Sequence, residues 1–386
     1  MESNEEISVW AESLITPNSD QNSKVEGVRI LTFNFFMRPP LIRNNASDYK
    51  EARLEYFIQN ILSNYDIICL QEMFQFGSSR RNRLLEAAFK KGFKFSWTSP
   101  AKSILSGSID GGLVLLSKFP LHEREITVYP IGCYSDRFSD KGALYAKIAI
   151  TNNDCIHLFT THTQASYSSA PPPNEESVII RHQQLALLRK FIDKCLDAAG
   201  RKPEELVLLV GDLNANGRPQ LDPLNPAIVQ EDSAEYKCMT RILRGEGIEA
   251  SLANPKLIDL EELCYVAPTV INIRDIARER YGQHPVTFGD VYVDDKGYIH
   301  PRETVLTSTK DWKTTASLDY VLIIDEKDDE LTVSKRTVEV DVQKTKIEEF
   351  FISTETSNHP FTQLSDHYGV STVLKVKDGK LTPYTV

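Results

Sequence analysis

The chain predicts an α/β protein in which helices cover β-sheets, and two observations carry that expectation. From Val28 onward, short apolar runs alternate with segments of helical period, and the runs are bounded by turn-forming or polar residues. Several of the runs are almost wholly apolar, as strands in a sheet interior are.

In chain order, the pattern predicts strands over 28–35, 66–70, 112–117, 144–150, 156–161, 206–210, 318–324 and 370–376. Helices are predicted over 49–64, where Arg53, Leu54, Phe57, Ile58, Ile61 and Leu62 recur at three- and four-residue steps, over 81–91 and over 176–198. There is no internal repeat, and the Pro/Ser-rich patch 166–173 reads as an exposed loop. The organisation expected is an N-terminal extension over 1–26 and one catalytic domain over 27–386. Residues 217–315 form a long insertion in that domain, too long for an ordinary connection, and must hold helices or hairpins of their own.

With 386 residues and 41% hydrophobic content, the chain can bury a substantial core. Its net charge of -10 repels a polyanion on average, so nucleic acid is a disfavoured partner. The six cysteines are widely spaced with no CxxC pair, which argues against a zinc site or a disulfide framework. No segment reaches the roughly 18 apolar residues of a membrane span, and no signal-peptide pattern opens the chain. The expectation is a cytoplasmic or peripheral membrane protein, or a secreted one if a natural leader has been removed.

Polar and acidic residues recur where apolar strands end: Asn34, Glu72, His162, Asp212 with Asn214, Asp319, and Asp366 with His367. One carboxylate at a strand end is ordinarily a capped turn. The ordered set is different, because Mg²⁺ is held by a few carboxylates, amide oxygens and water.

These residues stand in the motifs Asn34, QE (71–72), TH (161–162), GDLN (211–214), LDY (318–320) and SDH (365–367). In that order they resemble the endonuclease/exonuclease/phosphatase superfamily over about residues 28–376. The resemblance implies a four-layered sandwich of two packed mixed β-sheets flanked by α-helices. It implies Glu72 as principal Mg²⁺ ligand beside Asn34, with Asp366 and Asp212 near a second ion, and Mn²⁺ or Co²⁺ as substitutes. It implies His367 as general base oriented by Asp319, Asp212 and Asn214 as positioning groups, and His162 as donor to the phosphorus oxygens.

Within the superfamily, the segments FMRPPLI, SGSIDGGLVLLSKFPL, SDRFSDKGALYAKI and HPVTFGD resemble the neutral sphingomyelinases. That branch implies hydrolysis of sphingomyelin, or a related choline phospholipid, to ceramide and phosphocholine by a monomer in transient contact with a membrane surface. Asp136 and Lys141 resemble a pair linked in this branch to switching of the site. Asp140 beside Lys141 leaves that assignment open, and a solvated hairpin explains the segment equally well. His284 in HPVTFGD is a candidate for contact with substrate or insertion. Competing readings are a nuclease, disfavoured by charge, an inositol polyphosphate phosphatase, disfavoured by TTASLDYV where such enzymes carry a different signature, and a binding protein that has lost catalysis.

Overall fold

The first sheet is laid down from both ends of the chain. In the computed structural model, residues 27–103, 106–168, 171–219, 231–248, 265–325, 335–353 and 359–377 are described. The expected extension 1–26 lies outside them, as do 220–230 and 249–264 of the expected insertion.

The strands run β1 (Val28–Met37), β2 (Ile67–Met73), β3 (Phe95–Thr98), β4 (Val114–Ser117), β5 (Leu121–Val128), β6 (Gly142–Ala149), β7 (Cys155–His162) and β8 (Leu206–Asp212). Next come β9 (Asn272–Asp275), β10 (Phe288–Gly289), β11 (Val291–Val293), β12 (Ile299–Pro301) and β13 (Thr315–Ala316). The last are β14 (Asp319–Asp325), β15 (Val338–Val340), β16 (Lys346–Glu348) and β17 (Gly369–Val376). One sheet has the order β15-β17-β1-β2-β4-β3, with β16 also on β17, and the other has the order β5-β6-β7-β8-β14-β9. Both sheets are mixed: β1–β2 and β7–β8 are parallel and the other neighbours antiparallel.

Period-two alternation assigns each residue of these strands to a layer. Val28, Ile30, Ile67 and Cys69 of the first sheet pack against Leu144, Ile156, Leu158, Leu206, Leu208 and Val210 of the second. The intervening residues Leu31, Phe33, Ile68 and Leu70 face outward onto Leu54, Phe57, Leu84 and Ala88. Those four belong to α1 (Lys50–Tyr56), its π-type continuation over Phe57–Ile61, and α2 (Arg80–Lys90). On the far side, Tyr145, Phe159, Val207 and Leu209 meet Leu185, Leu188 and Ile192 of α3 (Glu176–Ala198). The result is helix, sheet, sheet, helix: the four layers expected. Every strand and helix predicted from the pattern is present. The insertion supplies α4 (Ala234–Arg241), α5 (Ile276–Tyr281), strand β9 and the β11–β12 hairpin among its described residues. Among the described residues, no helix is long and apolar enough to cross a membrane.

One buried charge ties the layers together at the end where β1 and β17 meet. Arg53 on α1 is fully buried and donates from Nε to Asp48 O at 2.7 Å, from Nη1 to Phe35 O at 3.0 Å and Leu364 O at 2.6 Å, and from Nη2 to Phe36 O at 2.8 Å. Burial lowers its pKa to about 10, which leaves it charged at neutral pH. Replacing it strips the donors from four buried carbonyls, so Arg53→Met should cost about 3 kcal/mol of folding free energy. The cost should appear as a lower urea midpoint at constant m-value.

Candidate active site

The parallel pairs bring four strand ends to one edge of the sandwich. His162, at the end of β7, is the register partner of Asp212, at the end of β8, and Asp212 is also the partner of Asp319, the first residue of β14. In the other sheet Asn34 of β1 pairs with Gln71 of β2, one residue before Glu72. The sheets are bridged here by Asn34 Nδ2, which donates to Asp212 Oδ2 at 2.9 Å and to Glu72 Oε1 at 3.4 Å. Asp366 and His367 arrive on the segment entering β17, where Ser365 Oγ donates to Asn34 O at 2.6 Å.

The backbone is bent to make this meeting. Phe36, Glu72 and Asn214 have φ of 52°, 55° and 51°, in the left-handed region that non-glycine residues avoid. Asn214 is held by the site's own bonds: its N donates to Asp212 Oδ1 at 3.0 Å and its Nδ2 to Thr163 O at 3.1 Å. Gly211 is required just before Asp212, because a Cβ there would come within 2.1 Å of Thr161 O. At Gly112 a Cβ would approach Glu72 Cα to 3.1 Å.

His367 Nδ1 stands 2.9 Å from Asp319 Oδ2, and His367 Nε2 lies 3.9 Å from Asp212 Oδ2. Burial opposes charge on this ring, but Asp319, by charge and hydrogen bond, and then Asp212 and Asp366 outweigh it and raise the pKa to about 10. Burial pushes the Asp212 carboxyl up to about 6, helped by the charge of Asp319. Burial pushes Asp366 up to about 7, against the pull of His367 and with the charge of Glu72. The Glu72 carboxyl is raised for the same first reason. These acids are short of positive charge, and Glu72 Oε2 is buried with no hydrogen-bond partner. An orphaned carboxylate oxygen beside an amide and a further carboxylate fits a hard divalent cation held by Glu72, with Asn34 and Asp366 close by. Asp212, Asp319 and His367 form a second group with ligand atoms within 4.8 Å of one another. The 2.9 Å imidazole–carboxylate bond gives that group the geometry of an oriented base.

His162 is buried, and its pKa is depressed far below the usual value by desolvation and then by the Lys141 ammonium. Lys141 Nζ, 3.0 Å from His162 Nε2, can only donate, so Nε2 accepts and the ring proton sits on Nδ1, which has no protein partner. Lys141 also donates to Asp136 Oδ2 at 2.8 Å and to Thr163 O at 2.9 Å, and is 4% exposed. Lys141 thus pairs with Asp136 and Asp140 with Lys102; Tyr134–Phe138 form a largely exposed single helical turn, while Lys141 itself is buried.

These groups open on a cleft of about 500 Å³ lined by Glu72, His162, Asp212, Asn214, Asp366 and His367. His284 is not among the residues lining it. It is buried, 2.9 Å from Asp232 Oδ1 and against the Tyr236 ring at 4.3 Å, an anchor within the insertion. The work near the site is done by its neighbours in the same segment. Thr287 Oγ1 accepts from Leu318 N and Asp319 N, Thr287 O accepts from Tyr368 N, and the Phe288 ring packs on His367 at 4.9 Å. Sequence reasoning also missed Arg38, which lines the cleft with its guanidinium 4.0 Å over the Phe36 ring. Its only signal was a lone cation in an otherwise apolar stretch.

The model of the Endonuclease/Exonuclease/phosphatase family matches residues 31–227. A sphingomyelinase of Dictyostelium discoideum is 34% identical over 385 residues, covering 87% of this chain and 76% of the relative. A sphingomyelinase C of Bacillus cereus is 29% identical over 210 residues, covering 52% of this chain and 59% of its own length. Among solved structures, a double mutant of Staphylococcus aureus beta toxin with bound magnesium ions superposes with a TM-score of 0.56 at 20% identity, covering 90% of this chain and 99% of that one. Sphingomyelinase C from Streptomyces griseocarneus gives 0.52 at 22% identity, covering 90% and 99%. At such identities the two structures speak for the fold, while the family match and the amoebal relative speak for descent. With the same ordered motifs gathered at one sandwich edge, this chain belongs to the endonuclease/exonuclease/phosphatase family and stands with its sphingomyelinase-like members.

Proposed function

We propose that the chain is a Mg²⁺-dependent phosphodiesterase that hydrolyses sphingomyelin, or a related choline phospholipid, to ceramide and phosphocholine. The observation that carries the chemistry is the buried Asp319–His367 pair facing the cleft beside the unpartnered Glu72 oxygen. The substrate class is supported by 34% identity to a sphingomyelinase along most of the chain.

A cation held by Glu72, with Asn34 and Asp366, would neutralise the phosphate charge and polarise the phosphorus–oxygen bonds. Asp319 fixes the His367 ring through Nδ1; once the acids that hold this imidazole charged are offset by a bound cation, Nε2 is free to take a proton from the attacking water. Asp212, 3.9 Å from that nitrogen, orients the ring and the incoming water. Neutral His162, with Nε2 3.5 Å from Asp212 Oδ2, and the Asn214 amide line the cleft where charge builds on the phosphoryl oxygens. Attack in line with the departing ceramide oxygen completes the reaction.

Access to a lipid requires surface contact. Phe36 and Met37 of FMRPPLI join Phe35 in the core, whereas Leu41 is 97% and Ile42 47% exposed. Asn45 Nδ2 holds this loop by donating to Val305 O at 2.8 Å and Thr307 O at 2.9 Å, and Asn44 lines the cleft. Two bare aliphatic side chains on a pinned rim suit shallow, reversible insertion by a peripheral protein.

Phosphocholine release from sphingomyelin micelles should require Mg²⁺ and stop with EDTA, while an abasic DNA duplex and an inositol polyphosphate stay intact under the same conditions. His367→Ala and Asp212→Ala should each cut kcat at least about 10³-fold in a protein that still unfolds cooperatively; near-normal turnover by the His367 variant would sink the mechanism. Glu72→Ala should chiefly raise the Mg²⁺ concentration for half-maximal rate. The double change Leu41→Ser with Ile42→Ser should lower the partition coefficient onto sphingomyelin vesicles at least about tenfold, by part of the transfer energy of two aliphatic side chains.

A further inference from the structure

The cleft contains an aromatic face that already serves as a cation site. Tyr167, five residues beyond His162 in the sequence, lines the cleft with Glu72, Asp366 and His367 and is 39% exposed. Its hydroxyl is hydrogen-bonded to Ser135 Oγ, and the Tyr134 ring packs on it at 5.2 Å and an interplanar angle of 67°. The ring is thus held at both its polar tip and its side.

Over its face stands Lys310 Nζ, 5.6 Å from the ring centroid, within the distance at which an aromatic quadrupole attracts a cation. Lys310 and its neighbour Asp311 both line the cleft. The wider surroundings are also anionic. After burial, the Asp136 and Glu72 carboxylates are among the groups that raise the Tyr167 phenol, so the ring lies within electrostatic reach of the candidate metal ligand.

A lysine ammonium is a compact, strongly hydrated charge and gives up much of its hydration at an aromatic face. A quaternary ammonium is larger, has no N–H to solvate, and is the kind of cation aromatic surfaces hold best. We propose that the Tyr167 face, with Asp311 lining the same cleft, is the subsite for a quaternary ammonium headgroup, and that Lys310 is its resident intramolecular occupant, displaced when substrate enters. The assignment rests on the choline-phosphodiester reading of the cleft. It makes Tyr167 a specificity determinant and Lys310 a built-in competitor, and it accounts for a lysine in a cleft that receives a cationic headgroup.

The test compares two water-soluble esters with one leaving group: p-nitrophenyl phosphocholine and ethyl p-nitrophenyl phosphate, which lacks the ammonium. The quantity read is the ratio of kcat/KM for the first over the second. Tyr167→Ala should reduce that ratio about tenfold, chiefly through KM for the choline ester, and Tyr167→Phe should keep it. Lys310→Ala should raise the ratio about threefold by vacating the ring. An unaltered ratio in Tyr167→Ala overturns the subsite. So does equal slowing of both esters in Lys310→Ala, which would make Lys310 a contact for the phosphoryl group. Calorimetric titration with phosphocholine, referenced to phosphoethanolamine, reads the subsite without turnover. Wild-type protein that cleaves neither ester yet prefers phosphocholine in a Tyr167-dependent way would defeat the hydrolytic reading and leave the subsite standing; equal binding of the two headgroups defeats the subsite.

Discussion

The guanidinium of Arg53 is the interaction on which the geometry of the cleft depends. It sits where β1 gives way to the rim loop and where the chain returns to enter β17, and it donates to carbonyls on both sides. Phe35 and Phe36 follow Asn34 directly, and Leu364 precedes Ser365, Asp366 and His367. A planar cation with five donors can hold several carbonyls at fixed angles, which a lysine could not. It also lies at a favourable distance from Asp366, whose charge partly offsets the cost of its burial. Ser365 Oγ then closes the arrangement by bonding Asn34 O. A candidate metal ligand and the candidate base are therefore linked by backbone clamps, although 333 positions separate Asn34 from His367.

Around that clamp the site is under two kinds of stress. Backbone strain is stored at Phe36, Glu72 and Asn214, each in the left-handed region. Electrostatic stress comes from Glu72, Asp212 and Asp366 converging in a desolvated space, where burial disfavours their charged forms. The local cations are committed: Arg38 to Asp48, Lys141 to Asp136 and Thr163 O, His367 to Asp319. A fold that keeps so many acids together with an unpartnered oxygen is arranged for an external cation, because leaving them uncompensated would cost stability at neutral pH.

The insertion turns a general phosphodiester site into a shaped one. Thr287 holds the start of β14 and the backbone of Tyr368 at once, so the segment 284–290 sets the distance between Asp319 and His367. Arg181 and Arg189 of α3, both buried, fasten other parts of the insertion: Arg181 pairs with Glu235, and Arg189 donates to Leu243 O at 2.9 Å and Thr269 O at 3.1 Å. Loops on such supports can vary in sequence and still present side chains such as Tyr167 and Lys310 at fixed positions.

The one-dimensional pattern determined the layers and the inventory of the site. Alternation within LVLLVG and IICLQ already divides each strand between inner and outer packing, and polar residues at the ends of those runs already name Glu72, His162, Asp212, Asp319 and His367. What it missed had weak or no period. Strand β5 is largely polar because it is an edge strand with its side chains partly exposed, and β15 and β16 are three residues each. Arg53 was read as part of a helical stripe, since nothing local tells a buried arginine from a solvated one. Tertiary structure alone decided that Lys141 pairs with Asp136 and not Asp140, that Thr287 and not His284 supports the base, and that Leu41 is bare while Phe35 is core. The reason is physical. Periodicity records which face of an element is apolar, a property of neighbours along the chain, whereas charge pairing, orphaned atoms and exposure depend on residues that meet only after the sheets have closed on one another.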